Sequence, residues 1–164
     1  MLFPYLLKRK ANWKTYAFWI GLAEGVGALA GFLTRDATKA FSETVNQPPL
    51  SPPMFLFPIV WGILYALMGF GAAKISLSPA SKDRSTALNV FVFQLAVNFI
   101  WSLVFFNLQS YGLAFGVLLF LWVLIVVMIF AFHCLSPLAA WLQIPYLLWV
   151  TFAAYLNLGV WLLN

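Results

Sequence analysis

The chain has 164 residues, of which 64% are hydrophobic and 8% are charged, and its formal net charge is +5. Soluble domains are about one quarter charged, so this composition excludes an ordinary water-soluble fold and indicates a protein that resides in the bilayer. The basic residues flank apolar runs and form no stripe with interleaved aromatic residues, which excludes nucleic acid as the expected partner.

Five apolar windows meet the length of about 20 residues that a spanning helix requires. In chain order they are 15–34, 55–75, 87–106, 111–133 and 138–163. The basic run 8–10 before the first window is compatible with a signal peptide, but Glu24 and the full spanning length favour a retained helix. Pro145 predicts a kink in the fifth window. The runs are too long and continuous for β-barrel strands, so the expected fold is one all-α membrane domain, a bundle of five transmembrane helices.

Residues 35–53 form the only long connection between the windows. An i, i+4, i+8 apolar pattern through Phe41 suggests a short amphipathic helix. The proline-rich stretch 46–53 is expected to be stiff and extended. This first connection is therefore either a lid over the bundle or a plain connector. The candidate lid residues are Phe41, Leu50, Pro52 and Pro53.

The distribution of lysine and arginine predicts the orientation. Four basic residues precede the first window, and Lys74, Lys82 and Arg84 lie at the end of the second window or after it. Both regions lie on the same side because two crossings separate them. The opposite side has only Arg35 and Lys39. The positive-inside rule then predicts a cytoplasmic N-terminus and an external C-terminus, with a bacterial cell membrane as the expected location.

Three windows carry polar and aromatic residues on one helical face each. The stripes are Trp61, Tyr65 and Met68 in the second window, Gln94, Asn98, Trp101 and Phe105 in the third, and Tyr146, Trp149, Ala153 and Asn157 in the fifth. Such faces are expected to line a pocket for a flat, largely apolar ligand, and ordinary packing is the alternative. The two amides of the third window either contact a ligand or join helices by hydrogen bonds.

Glu24 lies in the middle of the first window, where a carboxyl group is costly. It has either a ligand or proton role or a structural one. The pairs Gly21/Gly25 and Gly27/Gly31 allow another helix to approach closely, from within the chain or from a second copy. The sequence has no glycine-rich phosphate loop, catalytic triad or carboxylate pair, and a single histidine and a single cysteine predict no metal site.

Several motifs in this order resemble the translocator protein family, also called the peripheral benzodiazepine receptor or tryptophan-rich sensory protein family. The resemblance covers nearly the whole chain. It rests on segments 52–53, 61–65, 94–106, 136–140 and 145–161, which include Trp61, Asn98, Trp101, Trp149 and Asn157.

The resemblance implies a five-helix bundle with a pocket under the first connection, often as a homodimer. It implies membrane lipids and a porphyrin such as protoporphyrin IX as partners, isoquinoline and benzodiazepine drugs as further ligands, and no required cofactor. Trp61 and Trp149 match pocket tryptophans that some bacterial relatives use in light-dependent porphyrin breakdown. Asn98, Trp101 and Ala153 match other wall positions. Leu50 replaces the tryptophan that usually precedes the Pro-Pro pair, so the lid is expected to hold a flat ligand less firmly.

The leading hypothesis is a membrane receptor or sensor for porphyrin-like ligands. The alternatives are a light-dependent porphyrin-degrading enzyme, in which Trp61 and Trp149 would react, a carrier for such ligands, and a purely structural membrane protein. Cholesterol binding is not predicted, because the C-terminal segment lacks the required tyrosine and basic residue.

Overall fold

A computed structural model describes residues 3–164, with side chains from residue 12 onward. The described chain is helical and without strands. The helices are α1 (Phe3–Thr44), α2 (Leu56–Ser76), α3 (Lys82–Ser102), α4 (Tyr111–His133), α5 (Pro137–Trp141) and α6 (Ile144–Leu163). Five helical stretches in the described residues are long and apolar enough to cross a membrane. The predicted five-helix all-α bundle is therefore confirmed.

Helix α1 is longer than the first apolar window. It continues without a break to Thr44, so the connection to α2 is reduced to residues 45–55. Residues 32–47 contain neither glycine nor proline, and nothing in the sequence ends the helix there. The extension is held by Phe41, which is buried against the rings of Phe105 and Tyr111. Residues 35–44 are thus helical, as the apolar pattern through Phe41 suggested, but they continue α1 instead of forming a separate short helix in a connection.

The fifth window is divided into two helices. Its break lies at Leu142 and Gln143, and Pro145 stands in the first turn of α6 instead of kinking a continuous helix. A proline is tolerated there because the first N–H groups of a helix have no intrahelical partner. Gln143 is fully buried and donates from Nε2 to the carbonyl oxygen of Ala139 at 3.1 Å.

α1 and α2 pack closely because of glycines. A Cβ atom added at Gly69 would collide with the backbone of Ile20, so only glycine allows this distance between the two helices. Gly27 receives the ring of Tyr65 in the same way. Gly21 and Gly25 have no such neighbour within the described chain. The second copy that could cover their face stays a prediction.

A five-residue π-helical turn, Leu103–Asn107, follows α3 directly. Its wider winding is closed by the hydrogen bond from the Leu108 amide to the Leu103 carbonyl at 3.0 Å. π-helical turns are rare and often lie at functional sites. Here the turn buries Phe105, whose ring stacks on Trp101 at 5.3 Å between centroids.

Candidate ligand-binding cavity

The bundle encloses a cavity of about 500 Å³. Its walls come from α1, the connection 45–55, α2, the end of α3 with its π-helical turn, and α6. We call the part near Arg35, Thr38 and Gln47 the connection end, and the part near Glu24 and Tyr65 the deep end. The deep end lies about halfway along the apolar part of α1, and the connection end lies beside the segment that joins α1 to α2.

Three tryptophans stand in the aromatic wall of the cavity. The Trp61 ring lies 5.5 Å from the ring of Tyr65. The Trp101 indole donates its N–H to Oδ1 of Asn157 at 3.1 Å, which fixes the ring plane. Trp149 lines the cavity and also a shallow apolar groove of about 440 Å³ between α2 and α6. Its side chain therefore separates the cavity from the lipid-facing surface.

Most of the residues singled out in the sequence surround this cavity. Those in its lining are Phe41, Trp61, Tyr65, Trp101, Phe105, Trp149, Ala153 and Asn157. They come from α1, α2, α3 with its π-helical turn, and α6, and the helical period places each stripe on the inner face. The separate stripes thus form one continuous surface.

Gln94, Asn98 and Tyr146 lie behind the wall instead of in it. The Tyr65 hydroxyl donates to Oδ1 of Asn98 at 2.9 Å, and Nδ2 of Asn98 donates to the Tyr146 hydroxyl at 2.8 Å. The Tyr146 hydroxyl then donates to Oε1 of Gln94 at 2.8 Å, and Nε2 of Gln94 contacts Sδ of Met68 at 3.8 Å. All three residues are almost completely buried. This polar network joins α2, α3 and α6, so the amides act between helices, and it holds the wall residue Tyr65 in place.

The candidate lid also differs from its prediction. Leu50, Pro52 and Pro53 lie outside the cavity lining, and Gln47, Ser51 and Met54 of the same connection lie in it. The Leu50 side chain is 82% exposed at a backbone φ of 67°, a left-handed conformation that non-glycine residues rarely adopt. The tight turn from residue 48 to 51 therefore directs this side chain away from the ligand space.

The connection is tied to the end of α6. The Tyr155 hydroxyl donates to the carbonyl oxygen of Pro49 at 2.7 Å. Asn164 accepts from the amide of Asn46 at 3.1 Å and donates to its carbonyl oxygen at 2.9 Å. Pro48 is buried against Gly159, which has no side chain to keep it away. In this arrangement the connection is a fixed roof over the cavity.

One face of α1 also lines the cavity, and apart from Glu24 and Phe41 its residues were not predicted from the sequence. The face consists of Glu24, Gly27, Ala28, Gly31, Thr34, Arg35, Thr38 and Phe41. These residues repeat every three or four positions, which is the signal of one helical face. The pattern continues past residue 34, where the apolar window ends. It is recognised as one helical face only when α1 is known to continue to Thr44.

The fold and the cavity define the class of protein, a helical membrane bundle with an aromatic-walled cavity. Sequence comparison gives the family. The sequence model of the TspO/MBR family matches residues 19–162, and the chain belongs to that family. The resemblance found from the motifs is confirmed, and the protein is an integral membrane protein.

Individual relatives match most of this chain and most of their own length. The chain is 36% identical to the tryptophan-rich protein TspO of Chlorobaculum tepidum, over 92% of this chain and 96% of that protein. It is 34% identical to the tryptophan-rich sensory protein of Cereibacter sphaeroides, over 85% of each chain. It is also 34% identical to the translocator protein of Bos taurus, over 82% of this chain and 83% of the relative.

Proposed function

We propose that this protein is a membrane receptor or sensor that binds porphyrin-like tetrapyrroles and other flat apolar ligands in the cavity. The observation that carries the proposal is the convergence of Trp61, Trp101 and Trp149 on one space of about 500 Å³. Cavities of about 300–1,000 Å³ with aromatic walls and a few polar groups are typical of small-molecule sites.

The chemistry of the wall suits a flat conjugated ligand. Indole and phenyl rings offer offset-stacked and edge-on contacts worth roughly 0.5–1.5 kcal/mol each beyond the burial of apolar area. The Trp101 ring is oriented by its bond to Asn157 before any ligand enters, so little conformational entropy is lost on binding. A rigid roof and a rigid wall favour a rigid, planar molecule over a flexible chain.

The proposal is tested by titrating the detergent-purified protein with protoporphyrin IX in the dark and following tryptophan fluorescence. We expect saturable quenching, and Trp61→Ala and Trp149→Ala should each weaken binding about tenfold or more because a stacking wall is lost. Trp141→Ala is the matched control, because Trp141 is 67% exposed and lies outside the cavity. Affinity that is unchanged in both cavity variants would contradict this site.

Light-dependent breakdown of the bound porphyrin is a second candidate function. It is favoured by the position of two oxidisable indoles, Trp61 and Trp149, in the same wall. Illumination of the porphyrin-saturated protein distinguishes breakdown of the porphyrin from binding alone. Loss of the porphyrin absorption bands that requires Trp149 but tolerates Trp141→Ala would favour turnover, and stable bands would favour sensing.

We also infer that the protein lies in a bacterial cell membrane with its N-terminus in the cytoplasm. The inference is supported by the charge distribution of the bundle. Lys14, Lys74 and Arg84 belong to one end, and Arg35 and Lys39 belong to the other. Basic residues accumulate on the cytoplasmic side of such proteins. This orientation places the connection end of the cavity on the outer side.

A further inference from the structure

Glu24 stands on the cavity wall without a protein partner. Its side chain belongs to the lining of the deep end, beside Gly27 and Tyr65. Within the part of the chain that the structure describes, its carboxyl group has neither a hydrogen bond nor an ion pair. It is also an acidic residue in the apolar part of a spanning helix, where such residues usually mark a functional site.

The hydroxyl of Tyr65, which also lines the deep end, is already engaged in the polar network. The Tyr65 hydroxyl has one proton to donate, and it gives that proton to Asn98 at 2.9 Å. Both polar atoms of the Asn98 amide are engaged in turn, Oδ1 by Tyr65 and Nδ2 by Tyr146. The polar network therefore stabilises the wall but leaves the carboxyl group without a donor. A donor on a molecule inside the cavity would fill this position.

The second charged group of the lining stands at the connection end. Arg35 follows Glu24 by eleven residues, which is about three helical turns and places both on the same face of α1, roughly 16 Å apart along its axis. Arg35 is only loosely held, 3.7 Å from Asp36 and 4.6 Å from the centre of the Phe32 ring. The cavity thus has a cationic end, an aromatic middle and an end with a hydrogen-bond acceptor.

A substituted porphyrin is about as long as the distance between Arg35 and Glu24, and its polar groups are distributed to match the two ends of the cavity. Its two carboxylates lie on one edge, and the substituents of the opposite edge decide whether that edge carries donors. Carboxylates at the Arg35 end would direct the opposite edge toward Glu24. In this alignment the protein can distinguish ligands that differ in the substituents of the edge opposite their carboxylates.

We propose that Glu24 is a ligand-binding residue that selects flat carboxylated ligands with a hydroxyl or amine donor on the edge opposite their carboxylates. This selectivity rests on the proposed binding function and deepens it. Hydrogen bonds to charged groups contribute more than those between neutral groups, so a donor placed against the Glu24 carboxyl group gives a measurable gain in affinity.

Two porphyrins that differ at this edge provide the test. Protoporphyrin IX has two vinyl groups there, and haematoporphyrin has two hydroxyethyl groups. Dissociation constants of both are measured in the dark for the wild type, Glu24→Leu and Glu24→Gln. The ratio of the two constants is then compared between proteins, which cancels differences in detergent partitioning. Glu43→Leu is the matched control, because Glu43 is an exposed glutamate of the same helix outside the cavity.

We expect the relative preference for haematoporphyrin to fall about tenfold in Glu24→Leu, the effect of losing one hydrogen bond to a charged group. Glu24→Gln keeps an acceptor of the same shape, and a smaller shift in the same direction is expected. Glu43→Leu should leave the ratio at the wild-type value.

A ratio that stays at the wild-type value in both Glu24 variants, with protoporphyrin IX still bound, would overturn the role of Glu24 and leave the proposed function in place. An equal shift in Glu43→Leu would overturn it as well. Failure of the wild type to bind either porphyrin would overturn both proposals. The isosteric Gln variant keeps the test decisive if Glu24→Leu is poorly folded.

Discussion

The side-chain amide of Asn98 uses both of its polar atoms to join two tyrosines from different helices. Oδ1 accepts from Tyr65 of α2, and Nδ2 donates to Tyr146 of α6. Asn98 itself is 1% exposed, so water cannot replace either bond. One residue of α3 thereby sets the distance between two other helices and the position of the Tyr65 ring in the cavity wall.

Asn98→Ala should therefore destabilise the bundle. The substitution leaves the Tyr65 hydroxyl without its acceptor in an apolar interior, which costs about 1–3 kcal/mol. The measurement is unfolding by denaturant in a constant detergent, followed by circular dichroism. Asn107→Ala is the control, because Asn107 is exposed and loses one bond to the Leu33 carbonyl at the surface. Equal stability of the two variants would contradict the structural role of Asn98.

The sequence predicts that Gln94 and Asn98 point into the bundle. It does not predict whether their side chains reach the cavity or lie behind its wall. Both amides share a face with Trp101, and that face does point toward the bundle centre. Whether a polar atom reaches a cavity or a tyrosine depends on how α2 and α6 approach α3, which the period of one helix cannot give. The same limit explains why Trp61 and Trp149 lie in the wall, whereas Tyr146 lies behind it.

At the scale of elements, α1 and α2 can pack closely because glycines at their contacts have no side chain. Gly69 lies so close to Ile20 that an added Cβ atom would fall 2.7 Å from the Ile20 nitrogen. Without a hydrophobic driving force between helices in lipid, such close packing is a main source of their association. The Tyr65 ring packs against Gly27 of α1 in a similar way, one turn before Gly69 in α2.

Gly69→Ala should destabilise the protein by about 1–3 kcal/mol, because the backbone of α1 must move to admit one methyl group. Gly62→Ala on the same helix is the matched control, since a Cβ atom there has no neighbour within 4 Å. Alanine is the better helix former by roughly 1 kcal/mol, so this control should be neutral or slightly stabilising. Both are compared by thermal unfolding in one detergent, and a loss of the same size in both would rule out the packing explanation.

The extension of α1 shows why an apolar window is a poor guide to where a helix ends. Residues 35–44 include Arg35, Asp36, Lys39 and Glu43, which end the apolar run but not the helix. A helix can leave the hydrocarbon region and continue in the polar zone, because its backbone hydrogen bonds are internal in either solvent. Phe41 gives this outer part a buried contact, so the wall of the cavity extends beyond the apolar window.

At the scale of the whole molecule, the chain crosses the bilayer in alternating directions. Once the side of one loop is known, the sides of all the others follow. The number of spans and the family follow from the sequence, since both depend on long apolar runs and ordered motifs. The volume of the cavity does not follow from the sequence, because it depends on how faces of α1, α2, α3 and α6 and the connection 45–55 come together. Three crossings, α2, α3 and α4, separate the connection at Leu50 from the turn at Cys134, so these two sites lie on opposite sides of the bilayer.

The inferred orientation places Cys134 in the cytoplasm and Leu50 outside. Cys134 is the only cysteine and it is exposed, so the native chain already carries one probe. A membrane-impermeant maleimide should leave Cys134 unlabelled in intact bacterial spheroplasts and label it after lysis. The double variant Cys134→Ser, Leu50→Cys should show the reverse, with labelling in intact spheroplasts, because residue 50 is 82% exposed on the other side. Rapid labelling of native Cys134 in intact spheroplasts would invert the orientation, and the connection end of the cavity, with Arg35, would then face the cytoplasm.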